Sequence, residues 1–161
     1  MSKPSLILIG AGGHARACID VVEQEGKYEI AGLVGLPKEI GSRILGYPVF
    51  ATDAQLGDLV DQYQFALVSL GQIQSAEQRI RLFTQAHDAG FEFPTVVAPS
   101  AYVSPHATLG VGTVIMHGAI VNSGAMVGKN CIVNSNSLIE HDTHIADHCH
   151  ISTSAVLNGN T

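Results

Sequence analysis

The sequence predicts an α/β unit of Rossmann type over residues 1–94, followed by a parallel β-helix over residues 95–161. Three observations carry this. The apolar run "SLILIG" (Ser5–Gly10) meets the glycine loop "GAGGHA" and then a stretch with helical spacing. Further strand-like runs alternate with helix-like ones up to about residue 90. From Val97 to Leu157 an aliphatic residue then recurs every six positions, eleven times without an insertion.

The first strand, Ser5–Gly10, runs through its glycine loop into a helix that extends to about Glu25, with Ala17, Cys18, Val21 and Val22 on one face. "YEIAGLV" (Tyr28–Val34) reads as the second strand and "FALVSLG" (Phe65–Gly71) as the third. Between them "TDAQLGDLVDQY" predicts a helix with Thr52 as N-cap. "SAEQRIRLFTQAHDAG" predicts another, opened by a capping box at Ser75 and Gln78 and stopped by Gly90.

The glycine loop does not fit a dinucleotide fingerprint. The third glycine of G-x-G-x-x-G is replaced by the permitted small residue Ala15. The second strand ends in "GLVGLP", without an acid at its tip to hold a ribose. Two readings are left: a tight turn alone, or backbone N–H groups and a helix N-terminus aimed at an anionic ligand. His14, an unusual choice for packing at the mouth of such a loop, favours the second.

Helical periodicity near 3.6 cannot produce strict sixes, and simple strand alternation does not require the small residue found four positions after each aliphatic one, from Ala101 to Thr161. Repeats of this kind make one short strand and one corner each, stacked into a solenoid. The aliphatic side chain fills the interior and the small one fits the corner. The last repeat stops at Thr161 in mid-coil, so further coils are expected beyond it.

Composition narrows the function. With 14% charged residues and a formal net charge of −6, the chain suits neither nonspecific nucleic-acid binding nor a basic membrane patch. No apolar run approaches the roughly 18–20 residues of a membrane span. Three cysteines without motif spacing fit reduced thiols in a cytoplasm.

The segment "NSNSLIEHDTHIADHCHIST" (Asn134–Thr153) holds His141, His144, His148 and His150 among the acids Glu140, Asp142 and Asp147. It admits three readings: a metal site, a base with an orienting carboxylate, or a polar exterior. Successive repeats lie on different faces of a solenoid, so the four histidines do not converge within one chain. A mononuclear metal site needs three convergent ligands, and no metal is expected. A base is the better reading, with Glu140 or Asp142 beside His141 to fix its tautomer and stabilise the imidazolium.

"LILIGAGGHARACIDVV", "APSAYVSPHATLGVGTVI" and "VNSNSLIEHDTHIADHCHIST" together closely resemble the hexapeptide-repeat sugar acetyltransferases of bacterial surface-glycan synthesis. That family includes N-acetyltransferases of nucleotide-linked 4-amino-sugars and sialic acid O-acetyltransferases. The resemblance implies a left-handed helix with three repeats per coil, so that residues 18 apart stack at about 4.8 Å. Cys131 and Cys149 are such a pair, read as two buried thiols rather than a disulfide.

The resemblance further implies a homotrimer, acetyl-CoA between neighbouring β-helices and a nucleotide-sugar acceptor on the N-terminal domain. By position, His141 would be the catalytic base with Glu140 or Asp142 as partner. Asn134 would place the acceptor or the base, and His150 would touch acetyl-CoA near its thioester. Gly10, Gly12, Gly13, His14 and Gly71 would cradle the nucleotide-sugar. Relatives carry acids after the second strand where this chain has Gly35 and Leu36, which leaves Lys38 as a candidate contact. The last repeat positions Val114, Ile120, Met126, Ile132 and Leu138 would supply the trimer interface.

The expectation is therefore an acetyl-CoA-dependent N-acetyltransferase in the cytoplasm, acting by direct transfer. Sugar O-acetylation is the alternative. From other classes, a metal-dependent hydratase of carbonic anhydrase type and a non-catalytic nucleotide-sugar binding module remain open.

Overall fold

The computed structural model describes residues 1–161 and divides into two compact units, Met1–Pro94 and Thr95–Thr161. The first contains β1 (Ser5–Ile9), α1 (Gly13–Glu25), β2 (Glu29–Val34), β3 (Arg43–Ile44), β4 (Tyr47–Ala51), α2 (Leu56–Leu59), β5 (Phe65–Val68) and α3 (Glu77–Ala89). Its five-stranded sheet has the order β3-β4-β2-β1-β5. All pairings are parallel except the β3–β4 hairpin. Leu6, Ile7, Leu8 and Ile9 are buried without alternation, as expected of a parallel strand covered on both faces. α1 buries Ala15, Cys18, Ile19, Val21 and Val22, while Ala17 is only half-buried at the edge of that face. α3 buries Leu82, Phe83 and Ala86, and the Phe83 and Phe93 rings pack with centroids 4.3 Å apart.

Three local readings change. The β3–β4 hairpin has no counterpart in the predicted elements. Its two-residue turn, Leu45-Gly46, has φ of 49° and 89°. Glycine is usual in such a turn and leucine is not, so the hairpin signal is weak. The helix expected from Thr52 shrinks to a 3₁₀ turn, Asp53–Gln55, and the single α-turn of α2. Gln55 Oε1 does accept the Thr52 N–H at 2.8 Å. Gly57 then weakens the helix by about 1 kcal/mol relative to alanine, and the chain must turn back to enter β5. The capping box at Ser75 is incomplete because Ala76 already has helical angles (φ −83°, ψ −8°). Ser75 Oγ accepts the Glu77 N–H, while Gln78 turns to Arg81 instead. Gly90 ends α3 in the left-handed region, as expected (φ 108°).

The second unit consists of eleven two-residue strands. They are β6 (Val96–Val97), β7 (Tyr102–Val103), β8 (Thr108–Leu109), β9 (Val114–Ile115), β10 (Ile120–Val121), β11 (Met126–Val127), β12 (Ile132–Val133), β13 (Leu138–Ile139), β14 (His144–Ile145), β15 (His150–Ile151) and β16 (Val156–Leu157). They form three parallel sheets, β15-β12-β9-β6, β16-β13-β10-β7 and β14-β11-β8. Ile132 pairs with Val114 and His150, so each coil spans three repeats of a left-handed β-helix. Ile115, Val121, Val127, Val133, Ile139 and Ile145 fill the interior together with Ala119, Ala125 and Cys131. Cys131 and Cys149 are free thiols, and Cys131 Sγ donates to the Ala146 carbonyl at 3.2 Å.

A second six-residue period sets the corners. Gly112, Gly118, Gly124, Asn130, Asn136, Asp142, His148, Ser154 and Asn160 all adopt positive φ. Glycine tolerates this freely, and Asn and Asp are the next least strained. The Asp142 N–H donates to the Ser123 carbonyl of the coil before, and the Asn160 N–H to that of His141.

The outer face differs from expectation. Val114 and Ile132 are fully buried and cannot serve an interface between chains. Of the other expected positions, Ile120 and Met126 are exposed and Leu138 is half-buried; Ile120 and Leu138 stack along one sheet with the exposed Tyr102 and Val156.

Candidate functional site

The glycine loop divides into a committed half and an open half. Gly10 is buried at φ 124°, its N–H donates to Val34, and its carbonyl accepts the Ser69 hydroxyl at 2.7 Å. A Cβ there would stand 2.7 Å from the Leu70 nitrogen, so close approach of the chain after β5 demands glycine. Gly12 caps α1 and Gly13 begins it; both are exposed with open space where a side chain would be. The first N–H groups of a helix have no intrahelical acceptor, so these two remain available to an anion. His14 is half-buried against Gly71, where a Cβ would lie 3.3 Å from the His14 Cβ. Its Nε2 lies 3.3 Å from the Cys18 Sγ, one turn further along α1. Burial pushes the Cys18 thiol up to about 12, with the Arg79 guanidinium acting weakly in the other direction.

Gly10 and Gly12 border a cleft of about 320 Å³, whereas Gly13, His14 and Gly71 do not line it. It opens beyond the carboxyl ends of β1 and β2, the usual place for a ligand in a sheet of this kind. Ile9, Val34, Pro37, Leu70 and Leu82 make it mainly apolar, while Glu39, Asp53, Gln78 and Arg81 supply its polar groups. An acid does therefore stand at the tip of β2. The 3₁₀ turn Pro37–Glu39 brings the Glu39 carboxylate back to accept the Leu36 N–H at 2.8 Å. Lys38 is exposed and lies outside the lining.

The histidine segment separates into two corners of the β-helix. At the first, His141 Nδ1 donates to Asp142 Oδ2 at 3.0 Å, which leaves the Nε2 lone pair free of that bond. Asp142 reaches round because it takes the left-handed conformation (φ 57°), and its Oδ1 lies over Gly124, where a Cβ would collide with it. Glu140 points elsewhere: its Oε2 accepts from Asn122 Nδ2 at 3.1 Å, one coil below. At the second corner, Asn134 Nδ2 donates to His150 Nε2 at 3.0 Å while Asn134 Oδ1 accepts the Ser135 N–H. Asn134 thus orients His150, and within the chain it does not join His141. His148 pairs with Asn130 at 3.0 Å, and exposed His144 borders an open groove with Thr108, Met126 and Asp147. No three His, Cys, Asp or Glu side chains gather as a metal-ligand set. A neutral imidazole with one nitrogen anchored to a carboxylate and the other presented outward can accept a proton from an attacking nucleophile.

Residues 5–85 match the family model of the PglD N-terminal domain. The acetyltransferase domain of PglB from Neisseria gonorrhoeae, solved with acetyl coenzyme A, is 31% identical. The match covers 99% of this chain and 75% of that one, with a TM-score of 0.87. The chain belongs to this family of sugar acetyltransferases. A variant of perosamine N-acetyltransferase from Caulobacter crescentus, in complex with CoA and GDP-perosamine, is 29% identical with a TM-score of 0.89. That match covers 97% of this chain and 72% of that one. WeeI from Acinetobacter baumannii, 16% identical with a TM-score of 0.69, shares the fold. A search of curated proteins gave no match.

In this acetyltransferase Glu39 and Arg81 at the cleft, and Arg79 beneath it, are not among the residues expected from the sequence. Arg79 is fully buried, and its Nη1 donates to the carbonyls of Val68 (3.2 Å) and Leu70 (2.6 Å). It thereby holds the chain that presses Gly71 against His14. Helical spacing with Leu82, Phe83 and Ala86 does put Arg79 on the apolar face, which was the available signal. Glu39 gave none, because only the 3₁₀ turn makes it a neighbour of β2.

Proposed function

We propose that the protein transfers the acetyl group of acetyl-CoA to the 4-amino group of a nucleotide-linked sugar, with His141 as general base. The observation that carries this is the His141–Asp142 pair at 3.0 Å, in a chain similar along almost its whole length to an enzyme solved with CoA and GDP-perosamine. The neutral amine attacks the thioester carbonyl, Nε2 of His141 takes its proton, and the C–S bond then breaks as the imidazolium returns a proton to the departing CoA sulfur. Positioned general bases contribute on the order of 10²–10⁴ in rate. The Asp142 carboxylate selects the tautomer with Nε2 unprotonated and stabilises the imidazolium that forms.

The cleft bordered by Gly10 and Gly12 would hold the nucleotide end of the acceptor, its phosphates at the start of α1. His150, oriented by Asn134, would face the coenzyme. His141 stands at a corner and His150 on strand β15 of a different sheet, so a site using both is completed by a neighbouring copy. A homotrimer built on the Tyr102–Ile120–Leu138–Val156 ridge accounts for that arrangement. No helix is long and apolar enough to cross a membrane. A cytoplasmic location suits three free thiols and an acetyl-CoA donor.

The test is release of CoA thiol from acetyl-CoA against a panel of UDP-, GDP- and dTDP-linked 4-amino-sugars. Release that requires one acceptor and disappears in His141→Ala supports the assignment. Unchanged release in that variant removes His141 as the base.

A further inference from the structure

The residue directly above His141 in the next coil is Gly159, and it carries no side chain where one would collide with the imidazole. A Cβ at Gly159 would stand 2.6 Å from His141 Nε2, 2.7 Å from Cε1 and 3.1 Å from Cδ2. Backbone geometry does not explain the glycine, since Gly159 is absent from the positive-φ residues; the left-handed position of that turn belongs to Asn160.

The repeat makes the same point. Gly159 occupies the repeat position held by Pro105, Val111, His117, Ser123, Lys129, Ser135, His141, Asp147 and Thr153. Each of these keeps a side chain, so the turn itself tolerates one. Only the repeat that covers His141 leaves the position bare.

We propose that Gly159 is a positioning residue for acetyl transfer: its missing side chain lets the imidazole lie over the next coil with Nδ1 on Asp142 and Nε2 presented to the acceptor. The inference rests on the reading of His141 as the base. The three atoms nearest to a methyl group at 159 all belong to the far end of one flexible side chain, so the side chain can give way before the backbone does. The imidazole must move instead, breaking the 3.0 Å contact with Asp142. A displacement of about 1 Å in a reacting group can cost on the order of 10²-fold in rate.

The experiment compares Gly159→Ala, Gly159→Thr, His141→Ala and the double variant Gly159→Ala/His141→Ala by steady-state kinetics and thermal melting. Gly159→Ala should lower kcat by about 10- to 100-fold with little change in KM for either substrate. Gly159→Thr, which has a side chain the turn accepts at Thr153, should lower it at least as far. The ¹⁵N shifts of His141 should lose the pattern of an Nδ1-protonated ring in Gly159→Ala and keep it in wild type.

Wild-type kcat in Gly159→Ala, with His141→Ala inactive, overturns this inference and leaves the base standing. A raised KM for acetyl-CoA with unchanged kcat also overturns it, because Gly159 would then serve the coenzyme. Full activity in His141→Ala removes the base reading and this inference together. If Gly159→Ala melts early, the double variant decides. Recovery of the melting temperature when the imidazole is absent supports the steric account, and persistence of the defect overturns it.

Discussion

His141 Nδ1 and Asp142 Oδ2 are 3.0 Å apart although the two residues are adjacent in sequence. Adjacent side chains in a strand point to opposite faces. These two meet because Asp142 stands at a corner with φ 57°, which turns its carboxylate back towards the ring. Glu140, the other neighbouring acid, is held by Asn122.

Asp142→Asn should therefore lower kcat by about 10- to 100-fold, whereas Glu140→Gln should stay within about threefold. Steady-state rates with a saturating acceptor check this. A larger loss in Glu140→Gln would assign the partner role to Glu140.

Asn134→Ala removes the donor to His150 Nε2 and leaves His141 and Asp142 untouched. The KM for acetyl-CoA should rise several-fold while the pH dependence of kcat stays put. A shifted pH profile with unchanged KM would place Asn134 with the base instead.

Arg79→Met keeps most of the buried volume but strips the Val68 and Leu70 carbonyls of a donor. Each unsatisfied buried acceptor costs about 1–3 kcal/mol. The N-terminal unit should lose stability by a few kcal/mol in urea unfolding, and the acceptor KM should rise because Gly71 and His14 loosen. Wild-type acceptor KM in a folded variant would separate Arg79 from ligand binding.

Burial pushes the Cys18 thiol in the folded protein from the ordinary thiol value of 9.0 up to about 12. At high pH the unfolded thiol ionises before the folded one, so the unfolded state is favoured. Stability is intact below about pH 9 and falls above it, by up to about 1.4 kcal/mol per pH unit from this group, levelling off near pH 12. Cys18→Ala should show a shallower alkaline loss by urea unfolding at pH 8 to 11. An identical slope in both proteins would rule out this source.

Ile120→Asp places a charge in the middle of the stacked apolar ridge. If the proposed trimer is built on this ridge, light scattering should show a lower mass than wild type, with CoA release falling in parallel. A wild-type mass would move the interface to another face.

Much of the β-helix was legible because its period is local and repetitive. One aliphatic and one small residue per six define the interior, and pairs such as Ile132 and His150 follow from three repeats per coil. The Rossmann-like strands Leu6–Ile9 and Leu33–Val34 were equally plain as buried apolar runs. The β3–β4 hairpin was not, since Leu45 stands in a turn position that favours Asn or Gly. Glu39 and Arg79 escaped because their contacts depend on a 3₁₀ turn and on the packing of α3.

The repeat phase alone placed His141, Asp142, Asn134 and His150 at corners or outer strand positions, because period six leaves no freedom of register once the aliphatic residues turn inward. Which acid meets His141, which histidine meets Asn134 and where a side chain must be missing were decided only in three dimensions. Those contacts depend on corner dihedral angles and on neighbours 16 to 18 residues away, and a linear pattern records neither.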